Sequence, residues 1–289
     1  KDGKTRWELG REKFIELVWQ WKKKYGEIIL DQLKKLGASA DWSRTRFTMD
    51  EHYAADVQKA FIHYYKKGLI YRGKRVVNWC TNCKTSLSDL EVEYKEDKTK
   101  LWHIKYPLAT KQGKGGADQE YIVAATTRPE TMLGDAAVAV NPKDKRYKKF
   151  IGKIVNLPLQ NRDIPIVADE AVDQNFGTGV VKVTPAHDIT DSEIGERHKL
   201  QAPEVIDEDG RMTKEAGEKF KGFKVKEARE RVVDELNKLG LIEKTEEYAH
   251  NLTVCYRCGT TIEPLLSSQW FLKMEKLAKS AERAASSKK

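Results

Sequence analysis

All four cysteines of the chain fall in two pairs, Cys80-Thr81-Asn82-Cys83 and Cys255-Tyr256-Arg257-Cys258, with 171 residues between Cys83 and Cys255. A CxxC turn directs both thiolates to one point, and two such turns complete a tetrahedral Zn²⁺ site. The separation constrains the fold. A contiguous ribbon spaces its pairs by about 15–20 residues. One shared site across this gap therefore requires a whole domain inserted between the two halves of the ribbon. The alternatives are two independent redox pairs, or buried thiols without metal. Two matched pairs with no further cysteine, and Gly259 placed for the tight backbone of a knuckle, favour one Zn²⁺ held by Cys80, Cys83, Cys255 and Cys258. Four thiolates leave no open coordination position, so such a site is expected to be structural.

A chain of 289 residues has room for two compact domains, or one large domain with an insertion. Charged residues make up 34%, above the usual quarter or so, and the expectation is a soluble, cytoplasmic, monomeric protein. No apolar run is long enough for a membrane span. Lys1-Asp2-Gly3-Lys4 is followed by no apolar region of the kind a signal peptide needs. Four cysteines in this length do not form a disulfide scaffold.

The net charge of +9 is unevenly spread. Residues 1–79 carry 18 Lys+Arg against 10 Asp+Glu, residues 264–289 carry 6 against 2, and residues 80–263 carry 29 against 32. The amino-terminal part interleaves Trp7, Trp19, Trp21, Trp42, Tyr53, Tyr64, Tyr65 and Tyr71 with its basic residues. That mixture suits a nucleic-acid surface, where cations meet phosphates and rings meet bases. It equally suits amphipathic helices with aromatic inner faces and lysine-coated outer ones.

Phe14, Leu17, Val18, Trp21, Tyr25, Ile28, Ile29, Leu33 and Leu36 recur at helical spacing, with Gly26 as a break and Gly37 as the stop. A second helix is predicted over 50–67 and a third over 224–239, with Gly240 just beyond it. Strands are predicted at 75–80, 101–106, 121–126, 136–140, 154–157, 164–168 and 179–183. The fold class is α+β: a central domain with a partly closed, β-barrel-like sheet, flanked by helical, basic ends.

Two central segments carry chemistry. The first is Thr126-Thr127-Arg128-Pro129-Glu130-Thr131-Met132-Leu133-Gly134-Asp135, which follows a strand. The second runs from Phe176-Gly177-Thr178-Gly179 through Lys182, Thr184, Pro185, His187 and Asp188 to Asp191. In a strand beginning at Gly179, Lys182 and Thr184 share a face, and a turn at Pro185 brings His187, Asp188 and Asp191 round to the strand end. Such a cluster can bind a ligand bearing an amine and a hydroxyl. The plainer reading is a polar strand face leading into a helix that Asp188 caps.

Both segments resemble the editing-domain signatures of class I valyl-tRNA synthetases, TTRPETMLGD-AVAV and GTG-VK-TPAHD. Asn78-Trp79-Cys80 and the run Ser86–Tyr94 resemble the stretch leading into that domain, and the resemblance extends from about Lys13 to Met274. In that family the editing domain is inserted through a zinc-ribbon base, which would account for the 171-residue gap. The resemblance implies an organisation of residues 1–79 as a helical basic segment, 80–100 and 251–272 as the halves of the ribbon, 101–250 as the editing domain, and 273–289 as a basic tail. It implies hydrolysis of threonyl-tRNA(Val), with Lys182, Thr184 and Asp188 facing the threonine hydroxyl and Asp191 the α-ammonium. Arg128, Thr127, Thr131, Phe176 and His187 would meet the tRNA end and the ester. The implied partner is the acceptor end of tRNA(Val) carrying threonine, with neither DNA nor membrane. No HIGH-type or KMSKS motif occurs, so the chain is expected not to activate valine. Ile189, Thr190 and Ser192 depart from the family pattern after Asp188. A zinc-ribbon RNA-binding module, or an editing domain of isoleucyl or leucyl type, is the competing reading.

Overall fold

The computed structural model describes residues 3–109 and 119–287, so Lys1, Asp2 and the last two lysines of the basic tail lie outside it. The chain divides into two compact units, Lys1–Leu69 and Ile70–Lys289.

The first unit is helical: α1 (Arg6–Leu9), α2 (Arg11–Tyr25), α3 (Ile28–Lys35) and α4 (Glu51–Lys66). The long periodic run splits at Gly26, whose N–H closes the last turn of α2 on the Lys22 carbonyl at 2.8 Å. Asp50 caps α4, its carboxylate accepting from Tyr53 N at 2.7 Å. No described residue of these helices is buried.

The second unit contains β1 (Ile70–Cys80), β2 (Thr85–Leu87), β3 (Val92–Pro107), β4 (Tyr121–Thr126), β5 (Ala137–Val140), β6 (Ile154–Leu157), β7 (Arg162–Ala168) and β8 (Val180–Val183). These are followed by α5 (Ile189–His198), α6 (Val225–Lys238), β9 (Ile242–Cys255), β10 (Glu263–Leu272) and α7 (Glu275–Ser286). The strands form three sheets, ordered β10-β1-β2, β4-β3-β9 and β6-β7-β5-β8. The antiparallel ladder between β3 and β9 runs from Val92↔Cys255 to Ile104↔Ile242. This ladder closes the sequence gap: the chain leaves the first cysteine pair, builds the central body, and returns along its own outgoing strand to the second pair.

The main core lies inside the central body. Ile104 and Tyr106 from β3, Ile122 from β4, Met132 and Leu133 from the 3-10 helix Pro129–Gly134, Val138 and Val140 from β5, and Leu157 and Ile166 are all essentially buried. On α6, Ala228, Val232 and Leu236 recur at four-residue spacing and close one side of it. Gly240 follows the helix at φ +66°, a conformation that costs other residues steric strain.

The expected barrel-like closure is not present among the described strands. All three sheets remain open. Where β4 approaches the segment entering β8, the link is a side chain, with Thr178 Oγ1 donating to the Val123 carbonyl at 2.7 Å. Just beyond β3, Leu108 forms an isolated bridge with Val155 of β6, and no ladder joins the two strands among the described residues. Strands of four residues, such as β5, β6 and β8, are too short to continue their ladders round a closed sheet.

Candidate functional site

The two signature segments meet at one cavity of about 310 Å³, lined by Ala125, Thr126, Thr127, Arg128, Thr131, Phe176, Val181, Lys182, Thr184, His187, Asp188, Thr190 and Asp191. All nine non-cysteine residues singled out from the sequence stand on its wall. The glycines of the second segment shape the approach. Gly177 (φ +55°) and Gly179 (φ +79°) both have left-handed backbone, and a Cβ at Gly177 would lie 2.7 Å from that of Ala125.

Lys182 is buried, and its Nζ donates to Thr131 Oγ1 and Thr184 Oγ1, each at 2.7 Å. The Thr184 N–H donates to Asp191 Oδ2 at 2.8 Å. Burial, opposed by Lys182 and reinforced by the neighbouring Asp188 carboxylate, pushes Asp191 up to about 7. Asp188 does cap α5, accepting from Asp191 N at 3.0 Å through Oδ1. The plainer reading of that residue therefore holds together with its place on the cavity wall. The departures at Ile189 and Thr190 fall in the first turn of this helix, and Ile189 is half exposed.

Two of the expected contacts carry structural work. The Arg128 guanidinium ion-pairs with Glu263, lies 3.3 Å from Glu130 Oε1, and donates to the His187 carbonyl at 3.3 Å. Glu130 is fully buried and takes two further bonds from Arg229, at 2.8 and 2.9 Å. Burial would raise Glu130, but Arg229 and Arg128 hold it below the usual carboxylate range; Glu263, for which burial prevails over Arg128, lies above it. His187 is 1% exposed, and burial and Arg128 push it down to about 3. It is neutral at physiological pH. Its Nε2 accepts from the N–H groups of Val205 and Ile206 at 2.9 and 3.2 Å, so the ring proton sits on Nδ1 and donates to the Pro264 carbonyl at 3.3 Å. This ring is a clamp between β10 and the central body, and at neutral pH it is no general acid. Phe176, by contrast, is 43% exposed at the cavity rim and packs edge-on to Tyr248 at 6.2 Å.

Beneath the cavity lies a layer that sequence reasoning missed. Asp135 is fully buried, with Oδ1 accepting from Thr184 Oγ1 at 2.6 Å and Oδ2 from the Tyr106 hydroxyl at 2.8 Å. Burial pushes Asp135 up, against the pull of Lys182, Thr184 and Tyr106. Burial and the Asp135 carboxylate push the Tyr106 phenol well above its ordinary value, so it remains a donor. Asp135 ends the first motif and was visible there; nothing in the sequence pointed to Tyr106, Arg229 or Glu263.

The four cysteines converge. Their sulfurs lie within 4.8 Å of one another, Cys80 and Cys258 are 3.5 Å apart, and none of the four is in a disulfide. A tetrahedron of thiolates around Zn²⁺ at 2.3 Å has edges of about 3.8 Å, so the cluster is compatible with a zinc site. Buried Leu87 and Ile262 pack around it.

The whole chain, residues 1–289, matches the family described as tRNA synthetases class I (I, L, M and V). It is 55% identical over 282 residues to a valine–tRNA ligase of Thermotoga maritima, covering 98% of this chain and 32% of the relative. A valine–tRNA ligase of Carboxydothermus hydrogenoformans is 54% identical over 285 residues (99% and 32%). One from Geobacter sulfurreducens is 52% identical over 280 residues (97% and 31%). The chain thus spans about a third of the length of the curated relatives it matches. Among the described residues no helix is long and apolar enough to cross a membrane.

Proposed function

Since the chain belongs to the class I tRNA synthetases of the isoleucine, leucine, methionine and valine group, we propose that its cavity is an editing site that hydrolyses the ester of threonyl-tRNA(Val). Valine and threonine are nearly isosteric, and an apolar pocket rejects an added hydroxyl only weakly. A site built to hydrogen-bond that hydroxyl discriminates far better, because the wrong substrate leaves buried polar groups unpaired. The observation that carries the reading is the buried Lys182 ammonium, held between Thr131 and Thr184 on the wall of a cavity that also presents Asp188 and Asp191.

In this reading Lys182 donates to the threonine hydroxyl and Asp188 offers it an acceptor. Asp191 takes the α-ammonium, whose positive charge draws its carboxyl back to the ionised form. None of these residues is a nucleophile. A water positioned against the ester carbonyl attacks, the nucleotide hydroxyl leaves with a proton, and orientation supplies much of the rate. Phe176 at the rim offers a face to the terminal adenosine. Arg128, already engaged by Glu130 and Glu263, acts on the tRNA end by fixing the His187–Asp188 turn more than by pairing with phosphate. The four cysteines hold one structural Zn²⁺, which ties the ends of the inserted body together and supplies no chemistry to the ester.

The test is release of threonine from threonyl-tRNA(Val) by this chain. Turnover with threonyl ester, and little with valyl ester, is the expected result. Binding of the RNA without turnover would leave a zinc-ribbon RNA-binding module in its place. Faster release of another mischarged amino acid would make it an editing site of different specificity.

A further inference from the structure

Lys182 ends in an ammonium, which can only donate. The hydroxyls of Thr131 and Thr184, each 2.7 Å from its Nζ, must therefore accept from it. Each has its own hydrogen engaged elsewhere. Thr131 Oγ1 donates to the Arg128 carbonyl at 3.0 Å, and Thr184 Oγ1 donates to Asp135 Oδ1 at 2.6 Å. The chain of bonds ends at Asp135, whose second oxygen accepts from Tyr106 at 2.8 Å and whose first lies 3.6 Å from Lys182 Nζ. The Asp135 backbone is fixed as well, its carbonyl accepting from Arg162 Nη2 at 2.8 Å. The bonds converge on Asp135 from both sides: Lys182 can only donate to Thr184, the carboxylate can only accept, and Thr184 and Tyr106 therefore both donate to it. Two of the three Lys182 hydrogens are taken. The third remains for the cavity.

We propose that Asp135 and Tyr106 are positioning residues that hold the Thr184 hydroxyl as an acceptor, so that a single Lys182 N–H, and no threonine hydroxyl, is presented to the side-chain hydroxyl of the substrate. This inference rests on the editing reading above and deepens it. Neither Asp135 nor Tyr106 lines the cavity, so both act through Lys182 and Thr184. Fixing the donor in this way sharpens discrimination: a hydroxyl accepts the waiting N–H, whereas a methyl in its place leaves an ammonium hydrogen unpaired in a buried site. Asp135→Asn keeps only one acceptor oxygen. Its amide N–H₂ must face Thr184 or Tyr106, which reverses or removes a bond, and the counter-charge of Lys182 is lost. Tyr106→Phe removes a single donor and little volume.

The experiment titrates the full chain and both variants with two non-hydrolysable adenosine amides, one bearing threonine and one valine, and also measures deacylation of both tRNA esters. Asp135→Asn should lower the threonine-to-valine affinity ratio about 10-fold or more, and Tyr106→Phe about 3-fold, on the scale of a charged and a neutral hydrogen bond. In each variant the valine amide should bind nearly as it does to the unmodified chain. Losses equal for the two amides in both variants overturn the inference, because a purely structural pair weakens both alike. If Asp135→Asn does not fold, the near-isosteric Tyr106→Phe carries the test on the same ratio. An unmodified chain that binds the two amides equally and releases no threonine overturns the editing reading, and the inference with it. Discrimination that persists undiminished in the variants overturns the inference alone.

Discussion

In the amino-terminal unit Trp7, Trp21, Leu36 and Met49 are 64%, 63%, 82% and 68% exposed, whereas Ile104, Leu133, Val232 and Leu236 of the second unit have no exposure at all. α6 of the second unit carries the same helical periodicity as α2 and α4 of the first. In the second unit the β3–β9 ladder brings segments some 150 residues apart into register, from Val92↔Cys255 inwards, and so encloses a core. The helices of the first unit order their apolar residues on stripes that no described residue of that unit buries. Periodicity thus specifies the element, while burial needs long-range closure. Helices as short as the eight-residue α3 are marginal in water without tertiary packing.

The largest difference between the two units is expected at the cysteine cluster, where the second unit brings both ends of its central body together. Cys255→Ser should remove one bound metal per chain and destabilise the knuckle, a loss on the order of 10 kcal/mol in a small module. Amides near Leu87, Val92 and Ile262 should then exchange quickly, and those of α2 and α4 should not change. Metal analysis together with hydrogen exchange checks this, and unaltered protection around the cysteines would contradict it. Next in size is Glu130→Gln, which leaves Arg128 and Arg229 facing a lost charge in a buried site. About 3–5 kcal/mol of the second unit's stability should disappear, as read from urea denaturation. A paired contrast follows: Leu236→Ala should cost about 2–5 kcal/mol, and Leu33→Ala, at a position 38% exposed, about 0.5 kcal/mol or less. Equal losses would mean that the first unit has a core of its own.

The last expected effect is one of pH. Asp191 ionises near 3.8 in an unfolded chain and near 7 in the fold, so folding takes up a proton between those values. Its contribution therefore favours the fold at low pH and is lost as pH rises through about 7. Asp191→Asn should flatten the stability profile between pH 4 and 7 relative to the unmodified chain, and thermal melts across that range decide it.

Local pattern made much of this legible. The strands at 121–126 and 154–157, the helix ending before Gly240, and the shared face of Lys182 and Thr184 follow from spacing alone. The convergence of the cysteines was legible from their pairing. The long strands β9 and β10 were not, because most of their residues are exposed or half-buried and give no clean alternation. The buried layer was also hidden. Tyr106 lies 29 residues from Asp135, and Arg229 lies 99 from Glu130, distances over which sequence spacing carries no partner information. Arg128 and His187 were legible as members of the site, but the partners that β10 and the loop at Val205 supply to them were not.

In the proposed editing site the cavity separates a general amino-acid contact, at Asp191, from a threonine-specific one, at Lys182. Four single-turnover rates test it: threonyl and valyl esters of tRNA(Val), each with Asp191→Ala and with Lys182→Ala. Loss of a charged hydrogen bond should slow Asp191→Ala about 10- to 100-fold on both esters. Lys182→Ala should slow the threonyl ester by a similar factor and the valyl ester far less, so that the gap between them closes. Equal slowing of both esters by Lys182→Ala would contradict the account, and would leave Lys182 with a general role in shaping the site.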